Sequence, residues 1–329
     1  MKENNAANTL FVVIPCYNEE DVLHDSASKL LVKLKALIGS RVVSGDSRIL
    51  FVNDGSKDKT WAIIEELCKA DIHYNGISLA HNKGHQNALL AGLMIAKEHA
   101  DMVISMDADL QDDINAMDSM IEKYNEGCDI VYGVRNKRDK DTFFKRFTAE
   151  SFYKLMTALG ADTIYNHADY RLMSKRALES LAQYKEVNLF LRGIVPMLGY
   201  KTDCVYYERG ERLAGESKYP LRKMISFAWE GITSLSTTPI KLITAGGGIV
   251  FLISLIMMVY SLIRHAIGAT IVGWSSLIIS LWMIGGLVLL SIGIVGEYIG
   301  KIYLETKARP RYIVEEEILS DAETDTRTI

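Results

Sequence analysis

Two stretches of this chain carry no charge over lengths that few soluble folds tolerate. One runs from Leu242 to Ile263 and the other from Trp274 to Gly296. Each exceeds the roughly 20 apolar residues that a helix needs to cross a bilayer. A single stretch of this kind also suits a buried core helix, but two in tandem point to a membrane hairpin. The sequence before about Tyr219 has the mixed polarity of a soluble domain. The 329 residues are therefore expected to divide into a soluble domain over 1–219, a juxtamembrane amphipathic helix over 220–239, transmembrane helices over 240–264 and 273–297, and a C-terminal tail over 298–329. The end of that tail, from Ser320, is polar and expected to lack fixed structure.

The basic residues orient the hairpin. Lys218, Arg222, Lys223 and Lys241 precede the first stretch, and Lys301, Lys307, Arg309 and Arg311 follow the second. The connection holds only Arg264 and His265. Basic flanks stay on the cytoplasmic side, so an inner-membrane, multi-pass protein with both termini and the soluble domain in the cytoplasm is expected. The N-terminal MKENNAANTLFVVIP lacks the apolar core of a signal peptide. A net charge of −4 argues against a nucleic-acid binder. Cys16, Cys68, Cys128 and Cys204 are far apart and form no CxxC pair, so they read as reduced thiols rather than disulfides or a zinc site.

Within 1–219, β-rich apolar runs alternate with helical spacing. Strands are expected at 10–14, 49–52, 76–79, 102–106 and 130–134, and helices at 19–38, 59–70, 85–99 and 114–125. This alternation indicates βαβ units and a mostly parallel α/β sheet, Rossmann-like in its winding. Ligands of such sheets bind at the carboxyl ends of the strands. Polar clusters lie there: Pro15-Cys16-Tyr17-Asn18-Glu19 after the first strand, Asn53-Asp54-Gly55-Ser56 after the second, and Asp107-Ala108-Asp109 after the fourth. No GxGxxG, GxxxxGK[ST], HExxH or GxSxG occurs, so the chemistry must be read from carboxylates.

Asp107 and Asp109 stand two apart just after a strand, where extended backbone points i and i+2 the same way. Paired carboxylates suit a hard divalent cation that completes its shell with phosphate oxygens; a solvated acidic turn is the alternative. Asp54 is placed either to accept hydrogen bonds from a nucleobase or ribose or to cap a helix starting near Lys57.

Taken in order, FVVIPCYNEE, FVNDGSKDKT, HNKGHQNALLAG and MDADLQD resemble the family 2 glycosyltransferases of GT-A fold. ADYRLMSK, FLRGIVPMLGY, ERGERLAGESKYPLRKM and the closing GEYIGKIYLETKARPRYIV narrow the resemblance to the polyisoprenyl-phosphate glycosyltransferases, a group that includes bactoprenol glucosyltransferases and is related to dolichyl-phosphate mannose synthases. The resemblance covers about residues 9 to 314. It implies an enzyme, a hexosyltransferase, that moves one sugar with inversion from a nucleotide-diphosphate sugar to a polyprenyl phosphate at the membrane. UDP-glucose is the first choice of donor, UDP-N-acetylglucosamine the next and GDP-mannose the last. By the match, Pro15, Tyr17, Asn18, Glu19, Asp54, Asn82, Gly84, Asp107 and Gln111 bind the nucleotide sugar. Asp107 and Asp109 hold Mg²⁺ or Mn²⁺, with Asp109 the direct ligand. Asp169 matches the position usually proposed as base. Arg135, Arg171, Arg209, Arg212, Ser217 and Lys218 meet phosphate or acceptor. Homo-oligomers are implied, and a flippase and a downstream glycosyltransferase are candidate partners. His81 and Lys83 stand where many relatives have an arginine and an apolar residue, which leaves the donor open.

The base role of Asp169 is weakened by the acceptor itself. A phosphate monoester has its second pKa near 6 and is mostly dianionic at pH 7, so Asp169 also fits a positioning role, against Arg171. Leu221, Met224, Ile225, Ala228, Ile232 and Leu235 recur at helical spacing and read as a helix lying in the interface, or packed on the soluble core. Residues 137–159 mix basic and aromatic side chains, as an anionic membrane surface or a plain solvated face would require. Gly246-Gly247-Gly248 and Gly285-Gly286 allow close helix contact. A processive polysaccharide synthase would need more spans and a QxxRW element; a membrane partner with a degenerate transferase domain would not need an intact pair of aspartates.

Overall fold

The computed structural model describes residues 7–136, 167–187, 190–208, 238–267 and 273–320. They fall in two compact units, the first comprising Met1–Tyr153, Asp162–Pro220 and Pro310–Ile329 and the second Lys154–Ala161 and Leu221–Arg309. In the first unit, strands β1 (Leu10–Cys16), β2 (Arg48–Asn53), β3 (Tyr74–Leu79) and β4 (Met102–Ser105) alternate with helices α1 (Leu23–Gly39), α2 (Thr60–Ala70), α3 (His85–His99) and α4 (Ala116–Asn125). Next come β5 (Ile130–Arg135), β6 (His167–Ser174), α5 (Lys175–Leu181), α6 (Leu191–Met197) and β7 (Thr202–Tyr207). The second unit contains α7 (Thr238–Ala266) and α8 (Trp274–Lys307), and β8 (Val314–Ile318) lies in the first.

The strands form one sheet in the order β7-β5-β6-β4-β1-β2-β3-β8. β1 pairs in parallel with β2 and β4, β2 with β3, and β5 with β7. Only β6 and β8 run antiparallel to their neighbours among the described strands. Every residue of β1, β2 and β3 is buried, as a central strand covered on both faces requires. Alternate side chains divide between two apolar layers. Leu10, Val12 and Ile14 face α1 and α4, through Leu30, Leu34, Met117 and Met120. Phe11 and Val13 face α3, α5 and α6, through Leu89, Leu93, Ala177 and Ile194. Truncating a fully buried leucine in either layer to alanine costs about 2–5 kcal/mol. Helix α3 lies close on the sheet at Gly92, where a Cβ would collide with Val13 and Val52.

Beyond β5 the soluble domain adds elements that were not expected, β6, α5, α6 and β7, and the C-terminal tail adds β8. β6 is a strand that the alternation did not predict. Its opposite direction carries Asp169 back to the carboxyl end of β4, since Ser105 pairs with Arg171. β8 falls inside the expected C-terminal tail, just before the part expected to lack fixed structure. It adds an antiparallel edge to β3, and Trp61 Nε1 donates to Glu316 while Arg311 donates to the carbonyl of Tyr184. Ser320 is also fixed, donating from its hydroxyl to the carbonyl of Ile72 at 2.6 Å. A five-residue strand with three glutamates has too little apolar patterning to stand out.

Helix α8 continues well past the expected span end, to Lys307. Ala308, at φ 45°, stops it with its N–H on the carbonyl of Glu305. Among the described residues, one helical segment, Met283–Lys307, is long and apolar enough to cross a membrane. No second one is found there, so the expected pair of transmembrane helices is not established. Among the described residues, nothing lies within 4 Å of where a Cβ would stand at Gly246, Gly247, Gly248, Gly285 or Gly286. The segments 137–159 and 221–235 lie outside the described residues.

Candidate active site

The carboxyl ends of β1, β2 and β4 and the start of β6 share one edge of the sheet, and most of the candidate side chains gather there. The β1 and β2 loops are laced together. Asn18 adopts φ 54°, a conformation that asparagine tolerates better than most residues. Its N–H donates to Ser56 Oγ at 3.0 Å, and its Oδ1 accepts from Lys57 N at 2.9 Å. Glu19 N donates to Thr60 Oγ1 at 2.9 Å. Pro15 is buried in β1, whereas Tyr17 next to it is exposed.

Of the two roles that spacing allows Asp54, the helix cap is not the one it takes. It does not cap α2, where Asp58 accepts from Thr60 N at 3.0 Å. Its two oxygens instead accept from the backbone N–H groups of Lys83 at 2.7 Å and Gly84 at 2.9 Å, across 29 and 30 residues. Burial pushes its carboxyl up, and those two donors, with His85 and His81, pull against the shift. Asp54 therefore shapes the loop that carries Asn82 and Gly84. Gly55 makes this possible: it sits at φ 62°, and a Cβ there would stand 2.6 Å from Asn82 N and 2.7 Å from the carbonyl carbon of His81.

Asp107 and Asp109 follow β4. Leu110, at φ 45°, turns the chain so that Gln111 N donates back to Asp109 Oδ1 at 3.2 Å. Gln111 is buried and borders a groove against Ser28, Lys29 and Val32 of α1. The Asp107 carboxyl is raised by burial first; His85 opposes this, and Asp169, Asp112 and Asp109 add to it. Carboxylates crowded in this way are relieved by a cation. Among the described residues no group of three or more His, Cys, Asp or Glu side chains is arranged to hold a metal. A donor set of two carboxylates without soft ligands does fit Mg²⁺ or Mn²⁺ whose remaining positions are filled by a diphosphate and water.

Asp169 is the most heavily engaged group at this edge. Its Oδ1 accepts from Arg171 Nη2 at 2.7 Å and Arg192 Nε at 3.3 Å. Its Oδ2 accepts from Arg192 Nη2 at 3.0 Å and lies 3.6 Å from His85 Nε2. The same His85 nitrogen is 3.7 Å from Asp107 Oδ1, so one imidazole stands between the two carboxylates. Burial alone would raise the Asp169 carboxyl. Arg192, His85 and Arg171 outweigh it and hold the group well below the usual carboxylate range. Arg171 is buried to 1% exposure and also reaches the carbonyl of Leu191.

Arg135 is brought to a different cluster. Its Nη2 and Nε donate to Asp112 Oδ1 at 2.9 and 3.1 Å, and Tyr207 donates its hydroxyl to the same oxygen at 2.6 Å. Burial lowers the Arg135 guanidinium and the Asp112 charge more than restores it. Arg209, Arg212, Ser217 and Lys218 lie outside the described residues. Arg192 is a functional candidate that sequence reasoning did not assign, whereas His85 stood out in the sequence as a donor-phosphate contact or a surface histidine at a helix N-terminus. Arg192 sat inside the quoted FLRG run, a charge within an apolar stretch, which was the one available signal.

The family model for glycosyl transferase family 2 matches residues 11–182. This chain belongs to glycosyl transferase family 2. The uncharacterized glycosyltransferase YkoT of Bacillus subtilis (strain 168) is 52% identical, covering 95% of this chain and 93% of its own. The bactoprenol glucosyl transferase of Shigella phage SfV is 40% identical over 93% of this chain and 98% of its own. The prophage bactoprenol glucosyl transferase homolog of Escherichia coli (strain K12) is 39% identical over 92% and 97%. The chain is a glycosyltransferase of the bactoprenol glucosyltransferase-like group within the family. Among solved structures, a glucosyl-3-phosphoglycerate synthase from Mycobacterium tuberculosis, in complex with Mn²⁺, UDP and phosphoglyceric acid, is 17% identical with a TM-score of 0.46, covering 69% of this chain and 77% of that one. A likeness at that level says nothing about substrate.

Proposed function

We propose that this family 2 enzyme transfers a hexose from a nucleotide-diphosphate sugar to polyprenyl phosphate, with inversion, to supply a lipid-linked monosaccharide for cell-envelope glycan modification. UDP-glucose is the first donor to test, UDP-N-acetylglucosamine the second and GDP-mannose the alternative. The observation that carries the reading is the cluster at the carboxyl edge: Asp107, one of a pair of metal-suited carboxylates, and the arginine-clamped Asp169, with His85 between them. The names of the phage and Escherichia coli relatives favour the lipid acceptor.

In this reading Pro15, Tyr17, Asn18 and Glu19, with Asn82 and Gly84 on the loop that Asp54 braces, bound the nucleotide. Asp107 and Asp109 would hold Mg²⁺ or Mn²⁺, and a bound cation of that kind stabilises the charge that develops on a departing diphosphate. The acceptor phosphate oxygen attacks the anomeric carbon as the bond to the nucleotide diphosphate breaks with its electron pair. No proton has to leave a dianionic nucleophile. Asp169 is ionised and both its oxygens are already engaged, which suits positioning better than proton uptake. Arg209, Arg212, Ser217 and Lys218 are assigned to phosphates on the sequence match.

Membrane attachment through α7 and α8 fits their exposed apolar side chains, such as Ile253, Ile256, Leu289 and Leu290. The chain leaves the catalytic unit before α7 and rejoins it at β8. A segment that starts and ends in one folded unit crosses a bilayer an even number of times, which favours a two-pass hairpin over a single span. The basic flanks favour the cytoplasm for that unit. Self-association through the hairpin glycines belongs to the same proposal, as do a flippase and a downstream transferase. The test is transfer of labelled sugar from a donor panel to undecaprenyl phosphate by the full-length protein with Mg²⁺ or Mn²⁺. Label in the organic phase, abolished by Asp109→Ala, supports the reading; no transfer from any donor rejects it.

A further inference from the structure

We propose that Arg192 is a phosphate-binding residue of this site, with Asp169 as the positioning residue that aims it. The proposal rests on the transferase reading above. The two arginines that share the Asp169 carboxylate are not equivalent. Arg171 is sealed in the sheet at 1% exposure and is spent on Asp169 and a main-chain carbonyl. Arg192 keeps a third of its side chain exposed while presenting Nε and Nη2 to Asp169. This is a side-on hold that fixes the guanidinium plane, and a fixed plane is what a phosphate needs from an arginine, because less freedom is lost when the bond forms.

The placement of Arg192 is built rather than incidental. Its neighbour Leu191 donates its N–H to Gln86 Oε1 at 2.8 Å, tying the start of α6 to the first turn of α3. The next residue on that turn is His85, which touches both Asp107 and Asp169. Arg192 is thus one carboxylate and one imidazole away from the metal-suited pair. A diphosphate held by Asp107 and Asp109, or a monophosphate attacking beside it, has an oxyanion within that neighbourhood.

The shared chemistry is a phosphate oxyanion, and its source is either the nucleotide diphosphate or the acceptor monophosphate. Two arms distinguish them, both on the full-length protein in lipid nanodiscs. In one, calorimetry with UDP and Mn²⁺ reads the dissociation constant; in the other, transfer to undecaprenyl phosphate reads KM and kcat. Arg192→Gln is expected to weaken one arm at least tenfold, about 1.4 kcal/mol, with the loss in dissociation constant or KM. Arg192→Lys, which keeps the charge without the fork, recovers part of it. Asp169→Asn should weaken the same arm, and the double variant should be no worse than the worse single one, because both act on one contact. Losses below threefold in both arms for Arg192→Gln overturn the phosphate role, and multiplying losses in the double variant overturn the positioning role. Should Arg192→Gln fail to fold, Arg192→Met, which removes the charge and keeps an unbranched side chain, decides at the same threefold threshold. A wild-type protein that neither binds UDP nor transfers sugar would remove the transferase reading itself; an active wild type with an unaffected variant would remove only this assignment.

Discussion

Replacing Gly55 with alanine probes how the nucleotide edge is assembled. The new Cβ would stand 2.6 Å from Asn82 N, 2.7 Å from His81 C and 2.9 Å from His81 Cα, all of them backbone atoms. Ordinary van der Waals contact begins about 3.4 Å away, so one of the two loops must retreat by roughly 0.8 Å. The residue also sits at φ 62°, where an L side chain costs about 1–2 kcal/mol. Overpacking of this kind adds about 1–3 kcal/mol, for a total of roughly 2–5 kcal/mol. At about 2–4 °C per kcal/mol for a domain of this size, the unfolding midpoint should fall by roughly 5–20 °C. The displaced atoms adjoin Lys83 and Gly84, whose N–H groups bond Asp54, so UDP affinity should fall as well. Thermal unfolding and UDP calorimetry on Gly55→Ala measure both. A midpoint within 2 °C of wild type with unchanged affinity would refute the claim that the two loops are in backbone contact here.

Other consequences can be checked separately. Asp112→Ala strips the counter-charge from Arg135 and the acceptor from Tyr207, and should destabilise by about 3–5 kcal/mol; Tyr207→Phe should cost about 1 kcal/mol, and denaturant titration ranks them. Asp71 lies between Lys35 and His73, and despite its burial these partners lower its carboxyl from 3.8 to about 2. Because the folded value is the depressed one, its contribution of about 2 kcal/mol is complete above pH 4 and fades as pH falls toward 2. Unfolding of Asp71→Asn should show a gap from wild type at pH 7 that narrows over that window; a constant gap contradicts the pairing. Truncation after Arg309 removes β8 and bares the β3 edge. It should lower the midpoint and promote association, seen by size-exclusion chromatography; an unchanged profile would refute a structural role for β8.

Much of the sheet was legible because its central strands are continuous apolar runs, as in LFVVI and ILFV, and because the helices between them repeat leucines at three and four residues. β6 was not, because it carries Asp169 and Arg171 on one face and Tyr170 and Leu172 on the other, and a charged face does not read as a buried strand. Asp107 and Asp109 were visible as a local pair. The contacts of His85 and Arg192 and the backbone partners of Asp54 were not, since each joins residues 22 or more positions apart and depends on which strand ends the fold brings together. The contact of Arg135 with Asp112 and Tyr207 was not legible either, because only tertiary packing creates it.

The most direct test of the account is chelation during turnover. Purified full-length protein with labelled UDP-glucose and undecaprenyl phosphate should deliver label to the organic phase with Mg²⁺ or Mn²⁺. Excess EDTA should reduce that signal to background, and added Mn²⁺ should restore it. Undiminished transfer in EDTA would contradict the reading of Asp107 and Asp109 as the residues that hold the cation at the departing diphosphate.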